Sequence, residues 1–598
     1  MDFYNFYKGQ CFDAYEFFGA HVTDETTWFR TYAPAANRVA VIGEFNGWNE
    51  TPMDRAYDGS TWECSIPDAH PGQMYKYRIY GQDGRAIDHC DPYGFGMELR
   101  PNSASVIREL RSFEFDDWDW MLTRTDRRNE SLNIYEVHAG SWHKNPDDPE
   151  NGWYNYVELG DLLIPYVREH GYNYIEFLPL AEHPSDNSWG YQNTGFFAPT
   201  SRYGTMDQLK QLIENCHKNE IGVILDFVPV HFAVDDYALE RYDGTALYEY
   251  PHPDMGYSEW GSHNFNHCKG EVQSFLQSNA NYWLKEFHFD GLRIDALSNL
   301  IYWQGNKDRG TNENAVHFIR NMNGGLKKLH PTAILAAEDS TQFPGVTRPV
   351  YDGGLGFDYK WDMGWMHDTL ELFQTPPEHR AGAYHKLTFS MMYFRNERYL
   401  LPLSHDEVVH GKATVAQKMA ASEVRDKLAQ ARALYLYQMA HPGKKLNFMG
   451  WEIAQLREWD ERREQDWFMR RYPMHDAFFR FCCELGALYR DEPALWELDY
   501  DESGFSWVQA NDEEHVCYAF ARSDAAGERL LCVLNLSDRP AGLEFELPGL
   551  QAASMLMDTD WQRYDGQTPD APGTAIPCDE GVLGVTVPAC TGWLLRLK

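Results

Sequence analysis

Four acidic side chains in this sequence stand where short apolar runs end: Asp226, Asp295, Glu338 and Asp406. The stretch Phe289-Asp290-Gly291-Leu292-Arg293-Ile294-Asp295-Ala296 reads as a buried strand finishing on a carboxylate. Side chains alternate along a strand with period two, so Arg293 shares a face with Asp295. A cation there would hold Asp295 ionised and aimed, as a carboxylate nucleophile requires. A purely structural ion pair at a strand end is the alternative. Glu338 closes a second run, Ile334-Leu335-Ala336-Ala337-Glu338. If the two runs are neighbouring strands, about 4.8 Å apart, their carboxyls face each other across a small gap. Two carboxyls about 5 to 5.5 Å apart, one attacking and one trading a proton, are the working parts of a retaining glycosidase. Glu338, beside Asp339 in a partly apolar stretch, is expected to keep its proton.

Further groups fit around that pair. Asp406, at the end of another run, offers a fixed charge that could steady a cationic transition state or hold sugar hydroxyls. His405 beside it, and His231 five residues beyond Asp226, could hydrogen-bond hydroxyls. Trp189 and Tyr191, in Ser188-Trp189-Gly190-Tyr191-Gln192, could form a stacking platform, with ordinary loop packing as the alternative.

The elements that must position these groups follow from the patterning. From Asn133 onward, short apolar runs alternate with long helical segments, the signature of a parallel sheet. Candidate strands are 134–137, 174–178, 223–228, 291–295, 334–338, 356–360, 399–405 and 446–449. Thr205 can cap a helix whose Leu209, Leu212, Ile213 and Cys216 share one face. Val272, Phe275, Leu276, Asn279 and Trp283 nearly repeat that pattern. Eight βα units predict an α/β fold, a TIM barrel with insertions, with an open doubly wound sheet as the second choice. The barrel places chemistry where strands end, and the four carboxylates comply.

Before and after this region the hydrophobic period is two, which predicts a β-sandwich on either side. The expected divisions are a leader at 1–26, a β-sandwich at 27–110, a linker at 111–132, the barrel at 133–495 and a second β-sandwich at 496–598. Trp48, after the Asn46-Gly47 turn, could stack on a glucan or pack a domain interface.

Composition narrows the partners. With 53 basic and 90 acidic residues the formal charge is −37, which argues against nucleic acid and anionic membrane. No apolar run is long enough to span a bilayer, and residues 1–8 lack the pattern of a signal peptide, so the expected location is the cytoplasm. The 11 cysteines are scattered, without metal-ligand spacing, and read as reduced, packed thiols with no structural zinc.

Asp226-Phe227-Val228-Pro229-Val230-His231, Gly291 to Ala296, Glu338-Asp339-Ser340-Thr341 and Ser404-His405-Asp406-Glu407 resemble the four signature regions of the α-amylase superfamily. More narrowly, several stretches resemble the 1,4-α-glucan branching enzymes: Tyr135-Glu136-Val137-His138, Glu182-His183-Pro184, Trp189-Gly190-Tyr191-Gln192, residues 198–204, residues 359–370 and residues 403–412. The resemblance implies Asp295 as nucleophile, Glu338 as acid and base, and Asp406 as transition-state stabiliser. It implies Tyr191, Asp226, His231, Arg293 and His405 around the bound glucose, with Asp186 nearby. The implied partner is an α-glucan polymer, with a starch-binding-type module at the amino-terminal end, no cofactor, and a monomer.

Val230 stands where calcium-binding amylases carry an Asn ligand, so no calcium is expected there. Trp451 replaces an Asn common in the family, and its loop, with 302–311 and the stretch after Lys412, is expected to line the outer substrate groove. The motifs at 365–368 and 408–412 match branching enzymes rather than amylases, which favours a transferase. A glucan hydrolase of amylase or debranching type is the competing enzyme, and a glucan-binding protein with an inactive barrel the competing non-enzyme.

Overall fold

The computed structural model describes residues 1–598. Eight parallel strands close into a barrel, each hydrogen-bonded to the next in chain order and the eighth to the first. They are β1 (Asn133–Val137), β2 (Tyr174–Phe177), β3 (Gly222–Phe227), β4 (Gly291–Ile294), β5 (Ile334–Ala337), β6 (Tyr359–Trp361), β7 (Tyr399–Leu403) and β8 (Lys444–Phe448). Closure rules out the open sheet. Every barrel strand is buried along its whole length, which is why these runs are largely apolar rather than alternating.

The outer layer comprises α1 (Tyr156–Glu169), α2 (Met206–Lys218), α3 (Gly270–Glu286), α4 (Glu313–Leu329), α5 (Met363–Gln374), α6 (His385–Tyr393), α7 (Val424–Ala440) and α8 (Pro473–Asp491). Thr205 caps α2 as expected, its side chain accepting from Gln208 N, and Leu209, Leu212, Ile213 and Cys216 are all buried. In α3 the polar interruption is satisfied rather than exposed: Asn279 Nδ2 donates to Phe196 O at 2.7 Å.

One expected unit is incomplete. Between β5 and β6 the chain forms only a short 3₁₀ turn, Val350–Asp352, where a crossover helix was expected. The reason is local: Pro344 and Pro349 break helix, and Gly345, Gly353 and Gly356 adopt positive φ. The connection covers the barrel without a helix, burying Val346, Leu355 and Phe357.

The amino-terminal β-sandwich pairs a four-stranded sheet with a second sheet built on Arg38–Gly43 and Met74–Tyr80. Its first strand, Gly19–Val22, lies within the stretch expected to be a leader and pairs with Thr27–Tyr32. Trp48 remains 42% exposed, so it does not fill a domain interface. Residues 111–132 are anchored rather than loose. Arg124 and Trp120 bind the buried Asp290, and Asp117 accepts from His217 and His288, fastening this segment to the barrel. The carboxy-terminal domain is all-β, from Phe505 to Leu597, with Cys517–Ser523, Arg529–Asn535 and Thr591–Leu597 adjacent at its centre. No helix is long and apolar enough to cross a membrane, and all eleven cysteines are free thiols.

Candidate active site

Arg293, inside β4, is the hub of the centre. Its neighbour across the β3–β4 ladder is Asp226, and Nη1 donates to both Asp226 oxygens, at 2.7 and 2.6 Å. The same nitrogen reaches Asp295 Oδ1 at 2.9 Å, and Nη2 lies 2.8 Å from Glu338 Oε2. One guanidinium thus holds three carboxyls from three successive strand ends. The rigid planar fork of arginine suits this, where a lysine ammonium would not. Its ring partner is Trp361, with the guanidinium 4.5 Å from the indole centroid.

The strand ladder continues one residue past β4 and β5 and fixes the pair. Asp295 N donates to Phe227 O at 3.0 Å, and Glu338 N to Ile294 O at 3.1 Å. Ala296 then takes a left-handed conformation (φ 46°), which aims its N–H at Glu338 Oε2, 2.9 Å away. A non-glycine residue in this region costs about 1–2 kcal/mol, so the surrounding structure holds a strained turn beside the pair.

One sequence expectation is corrected here. Arg293 does not serve Asp295 alone. Burial pushes the Asp295 carboxyl well above the usual range, and Glu338, Asp226 and Asp406 add to this against the pull of Arg293. Asp226 is likewise pushed up to about 6 by burial, with Arg293 opposing. Asp339, beside Glu338, turns away from the pair and binds Lys360 Nζ at 2.9 Å. The carboxyls outnumber the cations, and for Asp295 and Asp226 burial works in the same direction, towards the protonated form.

His405 and Asp406 follow β7 in a 3₁₀ turn. The His405 ring is clasped from β1: Nδ1 lies 2.6 Å from Glu136 Oε1, and the His405 backbone N–H donates to Glu136 Oε2 at 2.9 Å. Burial opposes the charge, yet Asp406 and Glu136 raise the imidazole to about 10, so it is an imidazolium at neutral pH. Its Nε2 lies 3.4 Å from Asp406 Oδ1, and His405 and Arg293 hold Asp406 low against the cost of burial. The Asp406 side chain remains 42% accessible at the floor of the cleft.

Tyr191 stacks on His405, with centroids 5.6 Å apart at 19°, and its hydroxyl donates to Asp226 Oδ2 at 2.5 Å. Trp189 meets the same imidazole edge-on at 5.8 Å and stacks on His410 at 5.5 Å. His231, on a short strand pairing with His263–Asn264, is buried beside Trp260. Burial lowers its imidazole to about 4, and its Nδ1 has no partner. A neutral ring with an unused nitrogen is suited to a hydroxyl.

Asp186 is not brought to this cluster. Its carboxylate is held by Arg100 and by Arg202 (2.8 Å), a pairing that lowers it to about 2 in spite of burial. Arg202 also binds Glu182 at 2.7 Å, so the motifs at 182–184 and 198–204 brace the loop carrying Trp189 and Tyr191. Trp451 is buried against Tyr435 rather than lining the outer groove as expected.

Two carboxyls escaped the sequence reading, Glu136 and Glu176, both inside apolar strand runs and directly opposite each other in the β1–β2 ladder. A charge within such a run was the available signal. Glu176 has no hydrogen-bond partner, and burial, with Glu136 and Asp226 nearby, pushes its carboxyl well above the usual range.

Three family models match the chain: carbohydrate-binding module 48 (isoamylase N-terminal domain) over residues 17–94, the alpha amylase catalytic domain over 160–252, and the alpha amylase C-terminal all-beta domain over 507–598. Among solved structures, a putative alpha amylase from Salmonella typhimurium superposes with a TM-score of 0.71 at 18% identity, over 97% of this chain and 100% of that one. A pullulanase from Bacillus acidopullulyticus gives 0.75 at 16%, over 97% and 74%. At these identities the likeness is one of fold. The sequence relatives are nearer. A 1,4-alpha-glucan branching enzyme of Nitrosomonas eutropha is 41% identical, over 99% of this chain and 84% of that one. That of Bacillus caldolyticus is 43% identical over 90% and 82%, and that of Butyrivibrio fibrisolvens 41% over 96% and 92%. With near-complete coverage at this identity, the chain belongs to the 1,4-alpha-glucan branching enzyme family.

Proposed function

We propose that the chain cuts an α-1,4-glucan and moves the freed segment to a glucan 6-hydroxyl, with Asp295 carrying the segment. The observation that carries this reading is the Arg293 fork, with Asp295 on one nitrogen and Glu338 on the other at neighbouring strand ends. In the first step a carboxylate oxygen of Asp295 attacks the anomeric carbon. The bond to the leaving oxygen breaks as Glu338, acting as general acid, passes it a proton. Asp406, fixed by the His405 imidazolium, faces the positive charge that develops at the ring. In the second step Glu338 takes the proton of an acceptor 6-hydroxyl, whose oxygen displaces Asp295. Tyr191 and Trp189 offer ring faces to the sugar, and His231 and His405 offer hydrogen bonds.

Water competes with the acceptor in the second step. Holding a glucan acceptor in place favours transfer by proximity, worth on the order of 7 kcal/mol in well-oriented cases. Membership of the branching family supports transfer over hydrolysis. The cytoplasm is the proposed location, in keeping with the eleven free thiols, and a monomer the proposed state. Linear amylose tests the activity. Iodine staining should fall while α-1,6 linkages appear and reducing ends stay nearly constant. Reducing ends rising in step with lost staining would identify a hydrolase, and no change would identify an inactive barrel.

A further inference from the structure

The loop that follows Asp406 has a backbone that its own residues do not favour. His410, Gly411 and Ala413 lie at φ 58°, 80° and 64°, and for the two that carry a Cβ this left-handed region is costly. One side chain from the loop after β8 meets it. Glu458 accepts from Gly411 N at 3.1 Å with Oε2 and from Ala413 N at 2.7 Å with Oε1. Between those two anchored amides sits Lys412, whose Nζ reaches back to donate to the Asp406 carbonyl at 2.7 Å and to Glu407 Oε1 at 3.2 Å. Glu458 is itself fixed. Its carbonyl accepts from Arg457 Nη1 at 3.0 Å, and Arg457 is paired with Asp466 at 3.0 Å. The next residue, Trp459, donates its N–H to Val408 O at 3.0 Å and packs on Phe448 of β8 at 5.1 Å.

We propose that Glu458 and Lys412 are positioning residues for Asp406: the Glu458 carboxylate holds the strained turn in shape, and the turn sets the Lys412 ammonium on the Asp406 backbone. The inference rests on the reading of Asp406 as the charge that faces the developing cation. A turn in this conformation persists only where its surroundings over-determine it, and two amide bonds to one carboxylate do so. Lys412 needs that support. Its side chain is 46% accessible, and a long, solvated lysine settles on one carbonyl only if its own backbone is held. The ammonium also acts on charge, since His405, Arg293, Lys412 and His410 together hold the Asp406 carboxyl low against the cost of burial. The opposite wall of the cleft is held separately. Trp189 Nε1 donates to Glu461 Oε2 at 3.3 Å, and its ring packs on Trp459 at 4.8 Å. The face offered to the sugar therefore stands without the clamp, so loosening the clamp costs transition-state stabilisation rather than substrate binding.

The test compares Glu458→Ala, Lys412→Ala and the double variant of the full chain, with linear amylose as substrate. Turnover is expressed per folded molecule, the folded fraction being taken from thermal unfolding followed by tryptophan fluorescence. Each single substitution should lower kcat about tenfold while KM stays within about twofold. Because the two residues act in series on Asp406, the double variant should be no slower than the slower single one. Native kcat in either single variant, losses that multiply in the double variant, or a KM that rises as kcat falls would overturn the proposal. Asp406→Asn is run alongside. If it loses activity while the clamp variants do not, the clamp falls and the catalytic reading stands; if it keeps native kcat, both fall.

Discussion

His405 Nδ1 lies 2.6 Å from Glu136 Oε1, joining the end of β7 to β1 past the intervening β8 at a separation of 269 residues. Glu136 touches no reacting atom in the proposed chemistry. Its effect is to keep His405 charged, and through it to hold Asp406.

Glu136→Gln removes one of the two carboxylates that lift the His405 imidazole to about 10. The imidazolium should then lose its proton at lower pH. In kcat/KM profiles the basic limb should move down towards neutrality, with the acidic limb little changed. Overlapping profiles for the two proteins would show that Glu136 is merely structural.

Arg293→Lys keeps the charge but not the fork. An ammonium cannot bridge Asp226, Asp295 and Glu338 at once. The expected loss in kcat is about a hundredfold or more, with about 3 kcal/mol of stability lost to the unpaired buried carboxyls. Steady-state kinetics with amylose and thermal unfolding check the two parts. A variant with native kcat would contradict the placing of Arg293 as the hub.

His217, buried between Asp117 (2.6 Å) and Asp290 (2.9 Å), gives a pH signature in stability. Burial opposes the charge, but Asp290 and Asp117 raise the imidazole to about 9. Its folded pKa exceeds the unfolded value near 6.5, so its contribution is complete below that pH and fades as pH rises through about 9. The full contribution is about 3 kcal/mol. Unfolding free energies of the native chain and of His217→Gln should therefore differ most at pH 6 and converge above pH 9. A difference independent of pH would show that the imidazole is neutral in the fold.

Much of this could be read from the sequence because the barrel strands are buried on both faces, and such runs are visible as largely apolar stretches. The ends of those runs gave Asp295, Glu338 and Asp406 directly. The Thr205 cap and the α2 face were equally local, hence equally plain. What stayed hidden depends on pairing between distant strands. Arg293 could be placed beside Asp295 by strand alternation, but its hold on Asp226 and Glu338 depends on which strands are neighbours. Glu136 and Glu176 were visible as odd charges in apolar runs, yet only the closed barrel brings one of them under His405. Asp186 is tied by ion pairs to Arg100 and Arg202, contacts between distant parts of the chain that spacing along the sequence does not reveal. The missing helix after β5 was announced by its prolines and glycines, a local signal outweighed by the regularity of the βα alternation.

The central claim, that Asp295 carries the glucan chain, is tested most directly by trapping that chain. α-Maltosyl fluoride needs no acid to lose fluoride, so Glu338→Gln should still allow Asp295 to displace it, while the step that requires a base is blocked. Intact-protein mass should rise by one maltosyl unit, and peptide mapping should place the adduct on Asp295. An adduct on another carboxyl, or equal labelling when Asp295→Asn is added, would contradict the account.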